Sequence, residues 1–194
     1  MIKIFGLQRT GTNYLQELCK KNFPDKITIV HDFGWKHGPI AYTPLHWVEE
    51  SARKKAEDKE IDCLVIIKNP YTWIESIKKW WPKEYGYELS IEEYIEVYNV
   101  RYSSYLYYLR HEKPVIFYRR VQLIRYEDLL TNLHGTMNTI YPTEKVRDVN
   151  NVPLSAKFTK ERKVHYLSPK PNDRVTKAVD WEIIKSFGYH PIIQ

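Results

Sequence analysis

Arg9, Thr10, Thr12 and Asn13 lie between and just beyond two glycines, Gly6 and Gly11, a grouping suited to binding an anion. Glycines let a backbone close tightly on a ligand. The N–H groups of such a loop converge on negative charge, helped by the positive end of a following helix. The elements that must position this loop flank it directly. Residues 2–5 are short, apolar and β-branched, as in a buried strand. From Thr12 onward, Leu15, Leu18 and Cys19 share one face of a predicted helix. The spacing Gly6-x-x-x-x-Gly11 is that of a nucleotide phosphate loop. The Lys and Ser/Thr that such a loop needs for the β/γ-phosphates and Mg²⁺ are replaced by Thr12 and Asn13. The cation sits earlier, at Arg9. The loop has the parts to hold a phosphate or sulfate and lacks those for Mg-dependent nucleotide hydrolysis.

A second constellation is Lys68-Asn-Pro-Tyr-Thr-Trp-Ile-Glu-Ser76. It follows residues 61–67, an apolar run expected of a buried parallel strand. A cation closes the strand, Pro70 starts a helix predicted over 71–81, and Ser76 sits two turns in. A third is Arg125-Tyr-Glu-Asp128, at the end of a strand predicted over 121–126. The loop after a strand predicted over 27–30 carries His31, Asp32 and Trp35-Lys-His-Gly-Pro39. Loops at strand ends are where reacting groups gather in α/β folds. A lone loop histidine is commonly a surface residue, and Asn-Pro by itself is also a plain helix-start signal.

Taken together, these three segments resemble the sulfotransferases. Gly-x-x-Arg-Thr-Gly-Thr is similar to the family's 5′-phosphosulfate loop, Lys/Arg-Ser/Thr-Gly-Thr. Lys68 to Ser76 resembles its 3′-phosphate motif, Arg-Asn-Pro-x-Asp-x-x-x-Ser, with Lys68 in place of Arg and Thr72 in place of Asp. Lys keeps the charge but not the bidentate fork. Leu123 to Leu130 resembles the family's strand ending in Arg-Tyr-Glu-Asp-Leu, and Phe187-Gly188-Tyr189 its close. The resemblance spans roughly residues 2–130.

It implies 3′-phosphoadenosine 5′-phosphosulfate as donor, adenosine 3′,5′-bisphosphate as product and no metal. The sulfuryl group would pass to a hydroxyl or amine of a small-molecule or carbohydrate acceptor. Arg9 then takes the place of the phosphosulfate-loop cation, with Thr10, Gly11, Thr12 and Asn13 as donors. Tyr14 falls where members stack an aromatic on adenine, and Tyr126 is a second adenine contact. Lys68 and Ser76 take the 3′-phosphate. A general base is needed near the sulfur. His37 leads, with Lys36 beside it to stabilise the moving sulfuryl group; His31 and Asp32 are rivals for the base. Arg125 and Glu127 read equally as structural ion-pair partners. Lys157, Lys160, Arg162 and Lys163 are candidates to close over the 3′-phosphate, or a solvated basic loop. Trp80, Trp81, Tyr85 and Tyr87 read as an acceptor platform or as packing. Two other functions stand beside transfer: a P-loop kinase or NTPase, and a binding module that keeps the nucleotide pocket without turnover.

Length and composition agree with one folded unit. The 194 residues suit a single domain, 1–194, with 43% hydrophobic residues and 16 tyrosines. The net charge of +6 favours anionic ligands, and no nucleic-acid-binding motif accompanies it. Cys19 and Cys63 show no metal-ligand spacing and are expected as buried thiols. With no leader or membrane-spanning stretch read from the sequence, the expectation is a soluble cytoplasmic protein. Helices are also predicted over 44–59, 90–110 (opened by a Ser90-x-x-Glu93 capping box) and 175–187. Strands alternating with helices predict an α/β fold: three layers around a mostly parallel sheet, with helices on both faces. The resemblance implies the P-loop-like sulfotransferase version of it.

Overall fold

The computed structural model describes residues 1–23, 29, 35–38, 40, 50–58, 61–110, 118–141 and 166–192. Three strands, β1 (Ile2–Phe5), β2 (Ile61–Ile67) and β3 (Tyr118–Arg125), form a parallel sheet in the order β1-β2-β3. Helix α1 (Thr12–Asn22) follows β1 and α2 (Glu50–Glu57) precedes β2. After β2 come α3 (Pro70–Tyr85) and α4 (Ile91–Arg110). After β3 come α5 (Tyr126–Thr131), α6 (Leu133–Ile140), α7 (Asp173–Ala178) and α8 (Trp181–Lys185).

β2 is the central strand and every one of its residues is buried. Successive strand side chains point to opposite faces, so β2 feeds two cores. Cys63, Val65 and Ile67 pack with Phe5, with Trp73 and Ile77 of α3, and with Tyr98 and Tyr102 of α4. Leu64 and Ile66 pack with Ile4, with Leu15 and Leu18 of α1, and with Leu129 and Met137 of α5 and α6. Helices therefore cover both faces, as the alternating pattern predicts. Burial pushes the Cys19 thiol up to about 12 and also raises Cys63. Both cysteines are buried and free of disulfide bonds.

Several boundaries depart from expectation for identifiable reasons. β3 starts at Tyr118 rather than 121 because Asp62, wholly buried on β2, accepts from Arg119 (Nε 2.9 Å, Nη2 2.7 Å) and from Arg120 (3.1 Å). Those ion pairs let two arginines enter a strand that hydropathy alone would end. α3 runs past Pro82 to Tyr85. Proline there costs a bond only in the last turn, and the Gly86 N–H caps the Pro82 carbonyl at φ 78°. The C-terminal helix is two, because Asp180 accepts from the N–H groups of Glu182 and Ile183 and starts α8 afresh. The Ser90–Glu93 capping box opens α4 as expected. Of the strand predicted over 27–30, Ile29 is described; it forms one parallel bridge with Ile2. Positions 44–49 of the helix predicted over 44–59 lie outside the described residues.

The pairing Phe5↔Val65 and Ile67↔Arg125 brings the C-terminal ends of the three strands together. Gly6, Lys68 and Tyr126 leave the sheet at this edge, where ligands bind in parallel α/β folds.

Candidate functional site

The loop after β1 is shaped by its own short-range bonds. Thr10 is fully buried and gives both its hydroxyl (2.7 Å) and its N–H (3.2 Å) to the Leu7 carbonyl. Thr10 thus shapes the loop, and its N–H is not one of the donors left for a ligand. Trp73 Nε1 donates to the Gln8 carbonyl at 2.8 Å and pins the loop to α3. Arg9 is exposed and adopts φ 68°, the left-handed region that a side chain enters only where its surroundings hold it.

Gly11 is the N-cap of α1 at φ 100°, with no side-chain cap and no acidic residue in the first turn. The opening N–H groups of a helix have no intrahelical partner and carry the positive end of its dipole. Tyr126 walls this end: a Cβ on Gly11 would lie 2.6 Å from the Tyr126 ring. Gly11→Ala therefore meets both a left-handed φ and a clash. It is expected to cost about 1–3 kcal/mol, read by urea unfolding, and to weaken anion binding at the same time.

Gly6 joins the loop to the candidate base. Its N–H donates to the Lys36 carbonyl at 2.9 Å, and its carbonyl faces His37 Nδ1 at 2.7 Å. A carbonyl only accepts, so Nδ1 carries the proton and the lone pair is left on Nε2. The His37 pKa is lowered, first by burial and further by the charges of Lys36 and Arg101, against the opposing backbone bonds of Gly6 and Leu7. The ring is neutral at pH 7, as a base must be. Trp35 packs edge-on against it at 5.2 Å. Lys36 reaches back across the loop, its ammonium donating to Asn13 Oδ1.

Lys68 is 2% exposed at the end of β2. Its ammonium donates to Ser76 Oγ at 3.0 Å and lies over the rings of Tyr126 (5.1 Å) and Tyr166 (4.0 Å), with no ion pair among the described residues. Two α4 hydroxyls, Tyr98 and Tyr102, donate to its carbonyl at 2.6 and 3.1 Å and fix the backbone there. Burial drives the Lys68 pKa down to about 7; Glu127 opposes this and Arg9 adds to it. Tyr126 lies against Gly11 and under the Lys68 ammonium, so the glycine loop and the Lys68–Ser76 pair border the same ring.

The remaining expected residues divide between those bordering the loop and Lys68 and those of the scaffold. Tyr14 and Tyr126 meet edge-on at 6.5 Å, and Tyr126 is 8% exposed between Gly11 and Tyr166. Tyr126 is thus a wall of the site more than an open stacking platform. Glu127 is scaffold: it accepts from the Asn69 N–H (3.0 Å) and the Tyr189 hydroxyl (2.6 Å). Arg125 pairs with Asp128 at 3.9 Å and covers the Tyr189 ring. Trp80, Trp81, Tyr85 and Tyr87 do cluster, with Trp81 and Tyr85 rings 4.5 Å apart. They sit along the second half of α3 and just after it, however, with Trp80 about 15 Å and Tyr85 about 22 Å along the helix from Pro70. His31, Asp32, Lys157, Lys160, Arg162 and Lys163 lie outside the described residues.

Sequence reading missed two contributors. Tyr166 follows a stretch without periodicity, so nothing local marks its contact with Lys68. Arg101 had a signal: it sits three residues after Tyr98 and four before Tyr105, a cation placed on a tyrosine face.

No protein-family model, curated protein or solved structure matches this chain. Among the described residues no helix is long and apolar enough to cross a membrane, and no three His, Cys, Asp or Glu side chains group to hold a metal ion.

Proposed function

We propose that the chain is a sulfotransferase that moves a sulfuryl group from 3′-phosphoadenosine 5′-phosphosulfate to an acceptor hydroxyl or amine. The observation that carries this reading is Lys68, a buried ammonium beside an uncapped helix N-terminus. It is held by Ser76 and two tyrosine rings and lacks a carboxylate partner among the described residues. Such a group calls for an anion from outside. The Thr12-Asn13 pair in place of Lys-Ser/Thr argues against a Mg-nucleotide as that anion.

In this reading the first-turn N–H groups of α1 and Arg9 hold the 5′-phosphosulfate, and Lys68 with Ser76 holds the 3′-phosphate. His37 Nε2 takes the acceptor proton as the acceptor oxygen or nitrogen forms its bond to sulfur. The S–O bond to the 5′-phosphate breaks, and its electron pair leaves on the bisphosphate. Negative charge grows on that bridging oxygen, where Arg9 and the backbone donors oppose it. Lys36, tethered to Asn13, supplies a second cation between base and loop.

Calorimetry tests the assignment. Adenosine 3′,5′-bisphosphate is expected to bind without Mg²⁺ and ATP to bind much more weakly. Tighter binding of Mg-ATP would replace this reading with the kinase or NTPase one.

A further inference from the structure

Lys68 is 2% exposed, so an anion reaches its ammonium only if a neighbour gives way. Among the described residues, the ammonium meets the Ser76 hydroxyl at 3.0 Å, the Tyr126 ring at 5.1 Å and the Tyr166 ring at 4.0 Å. A phosphate oxygen must approach an ammonium to about 2.7–2.9 Å. With the Tyr166 centroid 4.0 Å away, there is no room for that oxygen between ring and charge.

The three neighbours are held very differently. Ser76 lies within α3, where its hydroxyl also donates to the Thr72 carbonyl at 3.1 Å. Tyr126 is a core residue with Leu129 and Leu130, is 8% exposed, and fits closely against Gly11. Tyr166 packs on the outside of that core and is half-buried. The chain that follows it toward α7 is mostly exposed, at Leu167, Ser168, Lys170 and Pro171. Its ring meets Tyr126 edge-on at 5.6 Å, so it can swing out without opening the core. Of the groups on Lys68, Tyr166 is the one that can yield.

We propose that Tyr166 stands in the place of the ligand's 3′-phosphate, its ring holding the Lys68 ammonium in the ligand-free protein until the phosphate displaces it. A ring face is attractive to a cation, so the contact is autoinhibitory. Only molecules whose ring has swung out are competent to bind, and apparent affinity is reduced by that fraction. This role rests on the reading of Lys68 as an anion-binding cation. It adds to the site a residue that opposes binding, where Arg9, Ser76 and the loop N–H groups favour it.

Calorimetry on the full chain with adenosine 3′,5′-bisphosphate, and separately with inorganic sulfate, tests this in the wild type, Tyr166→Ala and Tyr166→Phe. Tyr166→Ala is expected to bind both anions about 3- to 30-fold more tightly, the scale of the cation–π contact it removes. Tyr166→Phe keeps the ring and should bind like the wild type. A second readout needs no variant: in ¹³C-tyrosine-labelled wild type, the nuclear Overhauser contact between the Tyr166 ring and the Lys68 side chain should vanish on saturation with bisphosphate. A folded Tyr166→Ala that binds no more tightly than the wild type, or a Tyr166–Lys68 contact that persists in the saturated protein, would each overturn the proposal. Sulfate that displaces the ring where bisphosphate does not bind would remove the nucleotide reading and leave Tyr166 in this role. If neither anion binds the wild type or Tyr166→Ala, both readings fall.

Discussion

Replacing His37 by alanine is expected to slow sulfuryl transfer by about 10²–10⁴-fold, the contribution of a positioned general base, with bisphosphate affinity unchanged. The expectation follows from what holds the ring. Gly6 uses its carbonyl to keep the proton on Nδ1 and its N–H to hold the Lys36 carbonyl, so the His37 ring and the glycine loop are tied at one residue. Burial and two nearby cations keep the His37 pKa below its ordinary value. Activity should accordingly fall as pH drops through that lowered pKa, below about 6.5, because protonation fills the Nε2 lone pair. The stability linkage has the same sign. The unfolded histidine binds its proton more readily than the folded one, so this contribution is present above the ordinary pKa and lost as pH falls. Steady-state rates of the two proteins across pH 5–9 check both points. Full transfer activity in His37→Ala would move the base to His31 or Asp32.

Lys68→Met is expected to abolish bisphosphate binding and, in the same protein, to raise thermal stability at pH 6. The two effects share one cause. A lysine 2% exposed, with its pKa driven to about 7, keeps its charge at pH 6 at the expense of the folded state. The cost for a group displaced this far from its ordinary value of 10.5 is at most about 4–5 kcal/mol. The Ser76 bond and the two tyrosine rings offset part of it. Because the folded pKa is the depressed one, the unfolded chain holds the extra proton between about 7 and 10.5. Wild-type stability attributable to Lys68 therefore rises with pH across that window and is lost as pH falls through 7. Methionine carries no charge, so its advantage should be clear at pH 6 and shrink by pH 9 in thermal melts.

Ligand binding gives the matching signature. A bound anion favours the charged lysine, so bisphosphate binding at pH 8 should take up protons, and affinity should fall from pH 6 to pH 9. Calorimetry in buffers of different ionisation enthalpy measures that uptake. Bisphosphate binding that survives in Lys68→Met, or that is flat with pH, would remove Lys68 from the site.

Much of this arrangement is local and therefore legible in the chain. The apolar run 61–67 needs no partner to declare itself a buried strand. A capping box and a Pro-led helix start are set by neighbours within four residues. Gly6 and Gly11 announce a tight turn for the same reason. Of the boundaries that failed, one depends on a distant partner and two on local caps, at Gly86 and Asp180. Two arginines extend β3 because Asp62 lies across the sheet from them, and Pro82 stays helical at the far end of α3. The aromatics near Trp80 read equally as a platform or as packing, and only the structure puts them along the second half of α3, about 15 Å or more from its Lys68 end.

The amino-acid order by itself determined the α/β pattern, the glycine-bracketed turn and the presence of a cation in each of two constellations, Arg9 and Lys68. These follow from residue type and short-range spacing. Only the tertiary structure decided where those cations lie and what surrounds them. The parallel register brings Gly6, Lys68 and Tyr126 to one sheet edge, Gly6 fixes the His37 tautomer from 31 residues away, and Tyr166 covers the Lys68 ammonium. Burial, tautomer and charge pairing are properties of neighbours in space, and the chain brings those neighbours together only when the sheet and its two cores are assembled.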